Sequence, residues 1–246
     1  FVTGVVYNGQ AKAYPLRILV WHEAANDTIG GLPILVSYCP LCGSTLVYKR
    51  EPKDAPLTFG ISGLLHQSNV LLYDHQTQSL WSQLEMRAVT GKKRGEKLQL
   101  FPSVLASWGE WRKKHPDTLV LSRKTGFNRN YSGDPYRGYE SSKRIWFPVK
   151  RTSSRFHPKE KILVVSIGNS VKAYPFSELR NSLRDPLEDK VGGTRVRVYF
   201  DNGNYVNATD ERGRRVNSFV AYWFAWYAFK PDTEVYTAPP PPPGRK

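Results

Sequence analysis

The chain runs to 246 residues, 40% of them hydrophobic and 13% aromatic, with a formal net charge of +15. Such a length buries a substantial core in one large domain or two small ones, and no apolar run approaches the ~18 residues that cross a bilayer. Two cysteines in so long a chain exclude a disulfide-stapled scaffold.

The chain opens on "FVTGVVYNGQ", without methionine and already strand-like, which reads as a processed or incomplete N-terminus. A hairpin is expected around Asn8-Gly9, and in the "KAYP" that follows, Pro15 suits the first turn of a short helix. "DTIGGLPILVSY" then reads as strand, Gly30-Gly31 turn, strand. With Ile29 and Leu32 flanking that turn, the register sets His22 directly across from Cys39, their Cβ atoms about 5 Å apart on one face.

"SYCPLCGSTLVYKR" holds both cysteines, Cys39 and Cys42. In thioredoxin-type enzymes a C-x-x-C pair opens a helix whose dipole lowers the thiol pKa. Here the continuation is β-branched, and Cys-Pro-Leu-Cys-Gly resembles the knuckle turn of zinc ribbons and rubredoxins. A second knuckle is missing, so further ligands must come from elsewhere. His22 is first in line and His66 second. His75 follows Asp74, which can orient an imidazole, while His115 reads as a surface residue. Met86 is either a soft donor to copper or a core filler. Glu23 is the candidate catalytic base beside a metal-bound water, or else an exposed strand residue. A structural disulfide or a closed zinc clip is the plainer alternative.

Further along, "WGEWRKKHPDTLVL" predicts a Trp-bearing helix that stops before Pro116, then a strand. The second half echoes the first in order. "VVSIGNSVKAYPFSEL" matches "GVVYNGQAKAYPLRIL", "EDKVGGTRVRVY" matches "DTIGGLPILVSY", and "WFAWYAFKPDTEVY" matches the Trp segment. Tyr14 then corresponds to Tyr174, Gly30-Gly31 to Gly192-Gly193, and Trp111 to Trp226. Counting from the shared Gly-Gly, Cys39 falls on Asp201, and His22 and Cys42 have no counterparts. The expected fold is a β-rich α+β body of two homologous lobes, 1–122 and 161–238, around a basic aromatic insert, 123–160. A proline-rich tail, 239–246, follows as a polyproline II end.

The charge is concentrated: from Arg87 to Lys161 there are 19 lysines and arginines against 6 acidic residues. Such a run can face nucleic acid, anionic lipid, an acidic polymer or an acidic partner. With neither a helix-turn-helix nor a zinc-finger array nor an RNA-binding aromatic signature, no specific nucleic-acid partner is expected, and a solvated basic surface is the simpler reading. Sequons at Asn26, Asn130 and Asn207 lean towards an extracytoplasmic home.

With these residues collected, the chain resembles a prokaryotic family known as domain of unknown function 3179. The motifs that carry the likeness are "AKAYPLRILVWHEAANDTIGG", "SYCPLCGS", "FGISGLL", "LLYDHQTQSLWSQ", "HPDTLVLS", "DPYRGY" and "WFAWYAFKPDT". Several members look secreted or lipid-anchored, which implies an envelope or extracellular setting. The resemblance groups His22, Glu23, Cys39, Cys42, Asp74, Thr77, Ser79 and Trp81 as residues that matter together. It also implies a small residue where Met86 stands and an arginine where His75 stands, against both as ligands.

The functional expectation is a metal-binding protein outside the cytoplasm, with one copper or zinc ion held by His22, Cys39, Cys42 and His66. Two other classes stay open. One is an envelope or extracellular structural protein that assembles through its insert and tail; the other is a thiol–disulfide oxidoreductase using the Cys-Pro-Leu-Cys pair.

Overall fold

The computed structural model describes residues 1–50, 55–182 and 185–240, so the expected tail lies outside the described residues from 241 onward. The chain begins with β1 (Val2–Tyr7), β2 (Gln10–Pro15), α1 (Leu16–His22), β3 (Ala24–Ile29), β4 (Leu32–Cys39) and β5 (Ser44–Lys49). A meander follows: β6 (Phe59–His66), β7 (Asn69–Asp74), β8 (Leu80–Ser82) and β9 (Arg87–Ala88). Then come β10 (Gln99–Leu100), β11 (Val104–Ala106), α2 (Trp108–Lys114) and β12 (Leu119–Val120). Residues 123–160 carry neither helix nor strand. The second half holds β13 (Lys161–Ile167), β14 (Ser170–Pro175), α3 (Phe176–Asn181), β15 (Leu187–Val191) and β16 (Thr194–Tyr199). It ends with β17 (Tyr205–Asp210), β18 (Asn217–Tyr222), α4 (Trp223–Phe229) and β19 (Glu234–Val235).

The local signals act as expected. Asn8-Gly9 and Gly30-Gly31 turn with positive φ throughout, and β3 meets β4 in the register from Ile29–Leu32 to Ala24–Ser37. Pro15 and Pro175 sit at the N-caps of α1 and α3, and α2 and α4 end just before their prolines.

Equivalent contacts recur in the two halves. The Tyr14 hydroxyl donates to Asp27 at 2.7 Å, and Tyr174 donates to Asp189 at 3.0 Å. Lys12 pairs with Asp27 at 3.0 Å, and Lys172 with Asp189 at 2.9 Å. The halves do not separate into lobes, however. One sheet runs β12-β2-β1-β11-β17-β16-β15, and another runs β19-β14-β13-β18-β5-β4-β3, so each joins strands from both halves. The seams are Leu105–Val206 in the first sheet and Val220–Thr45 in the second. Burial explains the exchange: in each sheet either half offers an edge strand that the other covers, which removes four exposed edges over the two seams.

β4 shows how the layers stack. Ile34 and Val36 pack in the core with Val5 and Tyr14 of the first sheet, whereas Leu35 packs with Leu72 and Trp81 of the β6–β9 meander. Successive side chains point to opposite faces. The unbroken apolar run "PILV" therefore marks a strand covered on both sides.

One expectation is corrected here. His22 is not a strand residue opposite Cys39: it is the last residue of α1, and Glu23 after it takes a left-handed φ of 57°. The helix continues because Ile18 and Leu19 bury on one face, and the Glu23 N–H closes it on the Leu19 carbonyl. β3 starts at Ala24, too late for the hairpin to carry His22 across from Cys39.

Candidate functional site

The knuckle is built where β4 ends. Pro40–Cys42 form one 3-10 turn, and Gly43 leaves it with φ 54°. A Cβ on Gly43 would lie 2.6 Å from the Tyr222 ring, so only glycine lets that ring close over the turn. In the second half Asp201–Gly203 lie between β16 and β17 as the knuckle lies between β4 and β5, but all three residues have positive φ (39°, 50° and 86°), so the turn differs.

Both cysteines are free, Cys39 1% and Cys42 0% exposed. Cys42 Sγ donates to the Ser68 carbonyl at 3.3 Å. Burial pushes the Cys42 thiol well above its ordinary value, and the Cys39 contact adds to this. One contact opposes: Asn69 Nδ2 donates to Cys42 Sγ at 3.5 Å, which favours the thiolate. Asn69 is held in turn by Gln83 Oε1 at 2.9 Å, and Gln83 reaches Ser37 and Ser44 at 2.6 Å each.

Above the knuckle lies a cavity of about 340 Å³, lined by Pro40, Gly43, Tyr38, Tyr136, Tyr139 and Tyr222 among others. Among the described residues that line it neither cysteine is found. Tyr136 and Tyr139 come from the insert, so residues 123–160 roof the cavity. Lys159, 3% exposed, fastens that roof by donating to the carbonyls of Ser142 and Arg144, with its Nζ 4.3 Å from the centre of the Tyr139 ring. Glu23 is half-buried, and desolvation pushes its carboxyl up to about 7. Its charge is felt by both Cys42 and Tyr136, the latter pushed up to about 12 mainly by burial.

The other candidates are scattered. The His22 ring bonds the Tyr131 hydroxyl at 2.7 Å, and burial followed by Arg129 lowers its pKa. His66 Nε2 lies 3.3 Å from Glu85. His75 stacks on Tyr73, and His115 packs on the Trp111 ring at 4.2 Å rather than standing free. Met86 has φ 58°, a conformation that favours glycine. Among the described residues, no three His, Cys, Asp or Glu side chains gather as a ligand set. Two sequons lose their force. Asn207 is 4% exposed, and Asn26 is tied to the Phe59 backbone through both its amide nitrogen (2.8 Å) and its carbonyl oxygen (2.9 Å).

A sequence profile described as Protein of unknown function (DUF3179) matches residues 1–213. The chain belongs to that family. No curated protein and no solved structure matches it.

In this DUF3179 chain the motif "LLYDHQTQSLWSQ" has two structural tasks. Asp74 accepts from Thr77 N at 2.5 Å, Thr77 Oγ1 at 2.8 Å and Trp81 Nε1 at 2.9 Å, and Thr77 reaches Ser79 at 2.7 Å. These bonds close the β7–β8 turn. Gln83, the last residue of the motif, supports the thiols through Asn69. Sequence reading missed Asn69, Gln83 and Tyr222; of the three, only Gln83 lies in the quoted motif, which was the signal available for it. Among the described residues no helix is long and apolar enough to cross a membrane.

Proposed function

We propose that this chain binds one soft metal ion, copper(I), through the thiolates of Cys39 and Cys42, and that it works outside the cytoplasm. The observation that carries the reading is a pair of free, buried thiols at the two ends of one 3-10 turn, near enough for Cys39 to raise the Cys42 pKa. Two converging soft donors suit copper(I), whereas structural zinc asks for four. His22 and His66 drop out of the ligand set because Tyr131 and Glu85 hold them. The raised thiol pKa argues against a dithiol oxidoreductase, which needs a low-pKa, accessible nucleophile. Metal entry displaces both thiol protons, which pass to solvent. The extracytoplasmic setting rests on the family resemblance and the exposed sequon at Asn130, whose side chain is not tied to a neighbouring strand as that of Asn26 is.

We read the two halves as a duplication in which only the first kept the thiols; the recurring Lys–Asp–Tyr contacts and the two Gly-Gly hairpins support this. A second reading, self-assembly through the insert, is favoured by exposed Phe127, Trp146 and Phe147.

The test is competition for copper(I) against a chromophoric chelator, on reduced protein without oxygen. One equivalent should bind, be lost in Cys39→Ser and Cys42→Ser, and persist in His22→Ala and His66→Ala. Folded protein with two titratable thiols and no copper(I) uptake overturns the reading. Sedimentation that stays monomeric across salt and concentration overturns self-assembly.

A further inference from the structure

A second concave site lies apart from the thiols. It is a cleft of about 620 Å³ between the β8–β9 region, the end of the insert, the β13–β14 turn and the end of α4. Five cationic side chains line it: Arg87, Lys97, Lys150, Arg151 and Lys230. Among the described residues the only carboxylate in its lining, Glu85, is already engaged by Arg87 at 2.7 Å and by His66 at 3.3 Å. Among the described residues no carboxylate lies within ion-pairing distance of Lys97, Lys150, Arg151 or Lys230.

Two features separate this cleft from an ordinary solvated basic surface. Its floor is apolar, with Leu84, Leu98, Val171, Trp226 and Phe229. Its walls also come from separate chain segments, and the backbone N–H of Lys150 donates to Gln67 Oε1 at 3.1 Å, which ties the end of the insert to the β6–β7 turn. Four unpaired like charges on one concave wall repel one another, and a bound anion relieves that repulsion. The volume falls within the ~300–1,000 Å³ of small-molecule sites.

We infer that this cleft binds a small organic polyanion, one bearing two or more phosphate groups on an apolar or aromatic body. The guanidiniums and ammoniums take the phosphates, Arg151 in the two-pronged geometry that suits them, and the floor takes the body. A ligand that binds only the folded chain raises its melting temperature as concentration rises.

The experiment uses the full chain in chelator-containing buffer, with tripolyphosphate, adenosine triphosphate and a single-stranded oligonucleotide as separate probes. Adenosine triphosphate should bind at least about tenfold tighter than tripolyphosphate and raise the melting temperature. Lys150→Ala with Arg151→Ala should weaken it about tenfold or more. Because both residues are exposed, the fold is expected to persist, and Lys230→Glu supplies a second reading if it does not. The Arg123→Ala, Lys124→Ala pair and Cys39→Ser should leave binding unchanged, which keeps this site separate from the thiol site. Three results overturn the inference: no binding of either small probe, equal loss in the Arg123/Lys124 control, or oligonucleotide binding that ignores the cleft variants and outcompetes both small probes.

Discussion

The Trp111 indole Nε1 donates to the Thr118 hydroxyl at 3.0 Å, spanning the helix end and the strand that follows. The second half repeats the bond, Trp226 Nε1 to Thr233 Oγ1 at 2.9 Å. Both indoles are buried, and Trp111 fits only because β1 offers Gly4, where a Cβ would lie 2.1 Å from the ring.

Removing either hydroxyl should therefore strand a buried N–H. Thr118→Val and Thr233→Val are each expected to cost about 1–3 kcal/mol in urea denaturation. Thr118→Ser and Thr233→Ser should recover most of it. If only one of the two valine variants is destabilised, the bonds are not equivalent.

Glu23 makes stability depend on pH. Its folded-state pKa is raised from 4.5 to about 7, so the folded state holds its proton longer than the unfolded chain does. Stability should then be greatest below pH 4.5 as far as this group is concerned, fall between 4.5 and about 7, and level off above. The loss is on the order of 2 kcal/mol after allowance for partial solvent access. Glu23→Gln should flatten that window and stabilise the protein at pH 8, as read by denaturant midpoints. A variant whose profile parallels the parent's would show that Glu23 ionises freely.

Gly43 links fold to site. Its φ of 54° and the Tyr222 ring both forbid a side chain. Gly43→Ala should destabilise by about 2 kcal/mol or more, from left-handed strain plus displacement of the ring. Copper(I) affinity should fall with it, whereas Thr118→Val should lower stability and leave affinity alone. Equal affinity in both variants would detach Tyr222 from the thiol turn.

The comparison of residues with structure has a physical pattern. The turns were legible because Gly30-Gly31 and Asn8-Gly9 have few conformations open to them, and the four helix ends because proline has fewer still. Strand exchange between the halves was not legible, since pairing of β11 with β17 is a choice among edges that no local spacing encodes. The placement of His22 failed at the border of two valid signals: the Gly-Gly register was right, and the Pro15 helix overran it. Of the site, the knuckle was readable from Cys-Pro-Leu-Cys-Gly. Its support was not, because Asn69 and Gln83 reach it from distant strands.

That support yields the last prediction. Gln83 Oε1 accepts from Ser44 Oγ at 2.6 Å and from Asn69 Nδ2 at 2.9 Å, while Nε2 donates to Ser37 Oγ at 2.6 Å. All four residues are buried, so Gln83→Leu leaves several polar groups without partners at once. The cost should be on the order of 3 kcal/mol, more than a single hydrogen bond, because the members hold one another. A second effect tests the chemistry. Asn69 also donates to Cys42 Sγ at 3.5 Å, the contact that favours the thiolate, and Gln83 is what aims it. Gln83→Leu should then raise the Cys42 pKa further, seen as thiolate absorbance appearing at higher pH, and copper(I) affinity should weaken most at the acidic end of its range. A variant that loses stability while its thiol titration stays in place would make Gln83 a packing residue alone, and Asn69 would then be oriented by the Leu84 N–H that bonds its Oδ1 at 3.0 Å.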